Sequence, residues 1–248
     1  MSDLIAKLRR GPLLKRIPKS MVHSGKLALM HLGLRPTSLE AGLARAAKAE
    51  IPVRSIVDIG ASNGSWSRWA RRYFPSAKCL LVEPLEEHRP TLERMKAEYP
   101  GLEFCIAVAG QEPGTVTFNV TPDLDGSGVY GGGAGARSVP CITVDDEVEK
   151  RGLIGPFLLK LDTHGYELPI LAGARNTLRQ CSLVVIEVYV FKVSPTAICF
   201  NEMVTHMENL GFKVWDLIEP VWRDRDSCLW QFDLIFRPAT DPVFAQGW

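Results

Sequence analysis

A buried strand that runs straight into a glycine turn and then into a helix constrains this chain more than any other feature. The stretch is Val57-Asp58-Ile59-Gly60-Ala61-Ser62-Asn63-Gly64, at the end of an apolar run that begins at Ser55. Gly60 and Gly64 permit a tight turn and let a ligand come close to the backbone, while the helix that follows offers N–H groups with no intrahelical partner. Downstream, short apolar runs alternate with amphipathic stretches, the pattern of βαβ units and a mostly parallel sheet. Residues 78–82 read as the second strand and about 103–109 as the third. Trp66, Trp69, Ala70 and Tyr73, then Leu92, Met95 and Tyr99, fall at helical spacing and read as core. The runs at 157–161 and 183–190 are continuous enough to be central strands buried on both faces. The helix between them opens near Glu167, with Pro169 in its first turn and Gly173 as a break. A helix over 199–210 stops at Gly211, and only a charged loop separates the strands at 213–217 and 229–236, so these two pair antiparallel. The expected fold is α/β and Rossmann-like: one domain over 55–240, a mostly parallel sheet with a C-terminal antiparallel hairpin, behind a helical extension at 1–54.

Composition narrows the partners. With 46% hydrophobic and 23% charged residues the chain is an ordinary globular one, and its net charge of +1 gives no basic footprint for nucleic acid. The basic start (Lys7, Arg9, Arg10, Lys15, Arg16 and Lys19 against Asp3) suits either a solvated or subunit-packing helix or contact with an anionic membrane surface. Gly11-Pro12 and Pro18 interrupt a long amphipathic face and favour the first of these, and a homo-oligomer stays open. No apolar run approaches the roughly 20 residues of a membrane span, and no secretory leader is evident, so a cytoplasmic protein is expected. The six cysteines form no C-x-x-C pair and read as buried free thiols. Residues 126–135 carry little side-chain mass and read as a flexible loop.

Two cofactor chemistries compete at the glycine turn. A dinucleotide fingerprint needs G-x-G-x-x-G, whereas this chain has Ser62 at the second glycine and lacks the third. Asp58 would repel a pyrophosphate but suits the ammonium of a methionine moiety. Glu83 ends the second strand just before Pro84, where a carboxylate can accept both hydroxyls of a ribose.

These segments, followed by Val139-Pro140-Cys141-Ile142-Thr143-Val144-Asp145-Asp146 and by the run from Leu159-Lys160-Leu161-Asp162-Thr163-His164-Gly165-Tyr166-Glu167 to Ala174, resemble the FkbM family of methyltransferases over about residues 55–190. The resemblance implies a seven-stranded class I methyltransferase fold, S-adenosylmethionine as donor, and O-methylation in polysaccharide, glycolipid or natural-product assembly. It places the donor on Asp58, Gly60, Ala61, Ser62, Asn63, Gly64, Glu83, Pro84, Gln111 and Asp162. Two departures touch that set, since the family often has Asn at the position of Ser62 and Asp at that of Gln111. A nicotinamide oxidoreductase on the same fold and a catalytically silent donor-binding module are the competing functions.

An alcohol is a poor nucleophile with a high pKa, so methylation of a hydroxyl needs a base or a metal. His164 and Asp162 end the fourth strand of the sheet beside the transferred methyl, and are the catalytic candidates. A histidine titrates near neutrality and is suited to take the hydroxyl proton, although a helix-capping role is an equal alternative. Asp162 would orient the cofactor amine, position the acceptor or bind a cation, and Lys160 would pair with one of the neighbouring acids. Glu187 stands among Val184, Val185, Ile186 and Val188, where a lone carboxylate is costly unless paired or coordinating. Asp162 with Glu187 are the candidate oxygen ligands for Mg²⁺, a route held second to the base. Asp125, Ser127 and Tyr130 in the glycine-rich loop, with Glu187, are the candidate contacts to a small-molecule or carbohydrate acceptor.

Overall fold

A computed structural model describes residues 36–124, 126–129 and 135–245. Helix α1 (Leu39–Lys48) comes first, capped by Ser38, whose Oγ accepts from the Ala41 N–H. Then follow β1 (Ser55–Ile59), α2 (Ser65–Tyr73), β2 (Lys78–Glu83), α3 (Arg89–Glu98) and β3 (Leu102–Ile106). Three short strands come next: β4 (Val108–Ala109), β5 (Gly114–Asn119) and β6 (Ala136–Ile142). The chain continues with α4 (Val144–Lys150), β7 (Phe157–Leu161), α5 (Glu167–Ala172), α6 (Arg175–Leu178) and β8 (Cys181–Tyr189). Helix α7 (Phe200–Asn209) and the hairpin β9 (Phe212–Trp222) and β10 (Leu229–Pro238) complete it.

The main sheet has seven strands in the order β3-β2-β1-β7-β8-β10-β9. The first five are mutually parallel, and β10 runs antiparallel to both β8 and β9. Successive side chains of a strand point to opposite faces, so each apolar strand feeds two cores. One face packs Val57, Leu159, Val184 and Leu234 under α4 to α7. The other packs Ile56, Leu158, Val185 and Ile235 against Leu43 of α1, Ala70 of α2 and Met95 of α3. Each fully buried aliphatic side chain contributes about 1.5–3 kcal/mol, which is why these unbroken apolar runs sit at the sheet centre.

Two expectations are corrected. The apolar run at 103–109 is not one strand: β3 ends at Ile106, and Val108–Ala109 leaves for a second sheet of order β4-β6-β5. That small sheet was not anticipated, because β5 and the first half of β6 are largely exposed and polar. The described part of the expected helical extension packs on the sheet: Leu43, Ala46 and Ile51 are buried in its core and Arg45 Nε meets Asp216 Oδ2 at 2.6 Å. The basic segment at 7–19 lies outside the described residues. Gly173 does divide the helix after β7, and the last two strands do pair antiparallel. All six cysteines are unpaired, three of them buried and Cys228 exposed. Among the described residues no helix is long and apolar enough to cross a membrane.

Candidate active site

The carboxyl ends of β1, β2, β7 and β8 open onto one cavity of about 230 Å³. Its first wall is the turn after β1. Gly60 has φ 73°, and a Cβ there would lie 2.0 Å from the Asp162 carbonyl oxygen, so the turn after β1 and the end of β7 touch backbone to backbone. The Ser62 N–H donates to Glu83 Oε2 at 2.6 Å, and the Leu85 N–H donates to Glu83 Oε1 at 2.9 Å. Glu83 thus ties the turn to the tip of β2. Burial pushes its carboxyl up to about 7 against the pull of those two N–H groups.

Beneath the turn lies a buried charge cluster. Asp58 and Lys160 are neighbours across β1 and β7, and the Lys160 ammonium rests 3.2 Å from Asp58 Oδ1, 3.2 Å from Asp162 Oδ2 and 3.0 Å from the Gly60 carbonyl. Ser67 Oγ donates to Asp58 Oδ2 at 2.7 Å, and the ammonium lies 5.9 Å from the centre of the Trp66 ring. Burial pushes Lys160 to release its proton, but Asp162 and Asp58 outweigh that and hold its pKa above the usual lysine value. Burial also works to raise Asp162, and Lys160 first, then His164, reverse it, so its carboxyl lies below the usual range.

The opposite wall carries Asp162, His164 and Glu187. His164 sits at φ 55° in a turn that Glu167 holds, its Oε1 accepting from the Gly165 N–H at 2.9 Å and from Thr163 Oγ1 at 3.1 Å. His164 Nδ1 faces the Ser127 carbonyl at 3.3 Å. A carbonyl only accepts, so Nδ1 carries the proton of the neutral ring and Nε2 keeps its lone pair. Nε2 points to Asp162 Oδ1 at 3.5 Å and Glu187 Oε2 at 3.7 Å. Glu187 accepts from the Tyr189 hydroxyl and, at 2.6 Å, from Gln231 Nε2. Its carboxyl is raised, by burial first and then by the charge of Asp162. Asp233, its partner across β10, is likewise pushed up to about 7 by burial and by Asp162.

Of the sequence candidates, Gly60, Ser62, Glu83, Pro84, Ser127, Asp162, His164 and Glu187 come together on this cavity. Asp58 does not: it is fully buried, and the ammonium it engages is that of Lys160. Ala61 is buried behind the turn. Gly64 backs onto α3, where a Cβ would meet Met95 Sδ at 2.3 Å, and Asn63 is exposed, its Oδ1 accepting from the Ser65 N–H. Gln111 is exposed and is not among the lining residues. Asp125 and Tyr130 lie outside the described residues. Sequence reasoning missed Tyr189, Gln231 and Asp233. Tyr189 could have been found two residues after Glu187 on the same strand face, whereas the other two enter only through strand pairing.

The sheet order is that of the class I, Rossmann-like methyltransferase fold. The chain belongs to the FkbM methyltransferase domain family, whose model matches residues 58–214. Among solved structures it is similar to a methyltransferase FkbM from Methylobacillus flagellatus KT, at 16% identity and TM-score 0.48 over 74% of this chain and 43% of that one. This chain therefore spans less than half of that relative. It is also similar to a magnesium protoporphyrin IX methyltransferase from Synechocystis PCC 6803, at 9% identity and TM-score 0.46, covering 81% of this chain and 77% of that one. No curated protein matches it.

Proposed function

We propose that the protein transfers the methyl group of S-adenosylmethionine to a hydroxyl oxygen of a sugar, glycan or small natural-product acceptor. The observation that carries this reading is a single cavity with the Gly60–Ser62 turn and Glu83 on one side and Asp162, His164 and Glu187 on the other. The residues present fit the donor. Each Glu83 oxygen takes one backbone N–H and keeps a lone pair for a ribose hydroxyl. Leu85, Val108, Phe118 and Val129 form an apolar flank suited to a flat purine, and the ionised Asp162 suits an ammonium.

When bound, the donor supplies a sulfonium-borne methyl that is already activated, so the work left to the chain is alignment and proton removal. The Gly60 turn and Glu83 would hold one end of the donor while Asp162 would orient the other. His164 Nε2 would take the proton of the acceptor hydroxyl, freeing its oxygen for the methyl group that the donor would supply. Asp162 Oδ1, at 3.5 Å, offsets the imidazolium charge, and the Ser127 carbonyl keeps the ring oriented through Nδ1–H. The products are a methyl ether, S-adenosylhomocysteine and a proton carried by His164.

A divalent cation is the second reading, because Asp162, His164 and Glu187 each offer a ligand atom within 4.8 Å of the others. Tyr189 and Gln231 already donate to Glu187, and its raised carboxyl would have to lose a proton to coordinate, so the base is favoured. Calorimetry with S-adenosylhomocysteine and with NAD tests the donor: micromolar affinity for the first alone is expected, and the reverse overturns the reading. Turnover of labelled donor across a panel of polyols and glycans excludes a silent module. Activity lost on EDTA and restored by Mg²⁺ would move the chemistry from His164 to the cation.

A further inference from the structure

His164 also lines a second and larger groove, of about 1110 Å³, between the end of β8 and the β9–β10 turn. Three large aromatic side chains stand open on it: Phe191, Trp222 and Trp230, exposed by 37%, 49% and 39%. Leaving that much flat apolar surface in water is unfavourable and marks a binding surface. The groove is also built rather than slack. The Arg223 guanidinium lies 3.8 Å from the centre of the Phe191 ring and is held by Asp226 at 3.2 and 2.6 Å. Asp226 in turn accepts from the Cys228 N–H at 3.0 Å, and the Arg223 N–H donates to the Cys228 carbonyl at 2.8 Å.

The charged lining selects the occupant. Lys192, Arg223 and Arg225 line the groove with Asp123 and Asp224, and Asp226 pairs with both arginines, so cations and carboxylates cancel along it. A hydrocarbon chain laid over these groups would strip their water without replacing it. A polyanion finds no excess of positive charge here to hold it. Hydroxyl groups both donate and accept, so a polyol satisfies the two kinds of partner at once while its C–H faces lie on the aromatic rings. Pockets for small ligands run to about 300–1,000 Å³, so a groove of about 1110 Å³ has room for more than one sugar ring.

We propose that this groove is the acceptor site and that it takes an oligosaccharide, its rings stacked on Trp222 and Trp230 and one of its hydroxyls delivered to His164. The proposal rests on the donor reading above for its catalytic meaning. Calorimetric titration with cellotetraose, chitotetraose and mannotetraose, each against its monosaccharide, tests it in the absence of donor. At least one tetrasaccharide should bind ten times more tightly than its monosaccharide. Trp222→Ala and Trp230→Ala should each weaken it at least tenfold, Trp222→Phe and Trp230→Phe should retain most of the affinity, and S-adenosylhomocysteine affinity should stay within twofold throughout. A protein that binds S-adenosylhomocysteine but none of the tetrasaccharides, or binds one equally well without the tryptophans, overturns the groove and leaves the donor reading intact. Association with phosphatidylglycerol vesicles in place of sugars also overturns it. Binding of a tetrasaccharide without S-adenosylhomocysteine sinks the donor reading and leaves a carbohydrate groove.

Discussion

Replacing Lys160 by methionine keeps an unbranched side chain shorter by one atom and deletes the one cation inside the charge cluster beneath the glycine turn. The ammonium is 5% exposed and lies 3.2 Å from each of two carboxylates. At that separation and an effective dielectric constant of about 20, each pair is worth about 5 kcal/mol of Coulomb energy, most of it offset by desolvating three charges. The variant removes the attraction and relieves only the lysine's share of the desolvation, leaving Asp58 fully buried with Ser67 as its hydrogen-bond donor. Breaking a buried pair from one side costs about 3–5 kcal/mol, so urea unfolding at pH 7 should show a loss of that size. At about 2–4 °C per kcal/mol for a chain of this length, Tm should fall by about 6–20 °C. The pH dependence has a definite sign. Burial already raises the Asp58 carboxyl with Lys160 in place, and without its counterion it rises further above its unfolded value, so the added penalty is present at neutral pH and fades as pH falls and the group protonates. Lys160→Met combined with Asp58→Asn should recover about half of the lost stability. A loss under about 1 kcal/mol, or a deficit that grows on acidification, refutes the account of the cluster.

Gly60→Ala places a Cβ 2.0 Å from the Asp162 carbonyl at φ 73°, so the backbone must shift; calorimetry should show S-adenosylhomocysteine affinity reduced at least tenfold, and an unchanged Kd removes the turn from the site. Glu83, pushed up to about 7 by burial, must be ionised to accept a ribose diol, so donor affinity should rise with pH and fall by about tenfold per unit below 7. Measured with S-adenosylhomocysteine, which lacks the sulfonium charge, Glu83→Gln should abolish that slope, and a flat wild-type profile counts against the contact. His164→Ala should lower kcat by about 10² to 10⁴ with donor affinity unchanged, as measured by turnover of labelled donor and by calorimetry. Its Tm, taken alongside, separates a lost base from a lost fold.

What was legible in the sequence was whatever depended on local periodicity. The runs ending in Asp58, Glu83 and Asp162 are short, apolar and bounded by turn chemistry, so both their strand character and their exposed tips follow from the residues themselves. Lys160 and Asp162 share a strand face because they are two apart. What remained hidden depends on register between distant segments. Gln231 reaches Glu187 across 44 positions, and Asp233 faces it only because β10 pairs antiparallel with β8. Asp58 was assigned to a ligand's ammonium because its chemistry calls for a cation; the lysine that supplies one lies 102 positions away and aligns with it only through the β1–β7 pairing. The small sheet escaped because its strands are short and largely exposed, and the alternation they carry, Val116 and Phe118 in β5 and Val139 and Cys141 in β6, spans only two apolar positions in each.

The register also sets the protonation of the site, and with it a last prediction. Asp58, Asp162, Glu187 and Asp233 all lie on the face of the sheet that carries α1 to α3, with Lys160 as the ammonium among them. One ammonium does not balance four carboxylates in so dry a place; Asp162 is held low by Lys160, and burial raises Asp58, Glu187 and Asp233. Glu187 is raised by burial and Asp162, and Asp233 is pushed up to about 7 by the same two causes. S-adenosylmethionine brings a sulfonium charge to this wall that S-adenosylhomocysteine lacks. A positive charge there favours the ionised carboxylates, so the methyl donor should expel protons from this row on binding. Both ligands carry the same ribose, hence any proton released from Glu83 is common to the two and cancels in the difference. Calorimetric titrations at pH 7 in buffers of different ionisation enthalpy read the proton count directly. S-adenosylmethionine should release more protons than S-adenosylhomocysteine, and Glu187→Gln should shrink the difference. Equal release by the two ligands would mean that the sulfonium does not face these carboxylates, and the donor would have to lie the other way round in the cavity.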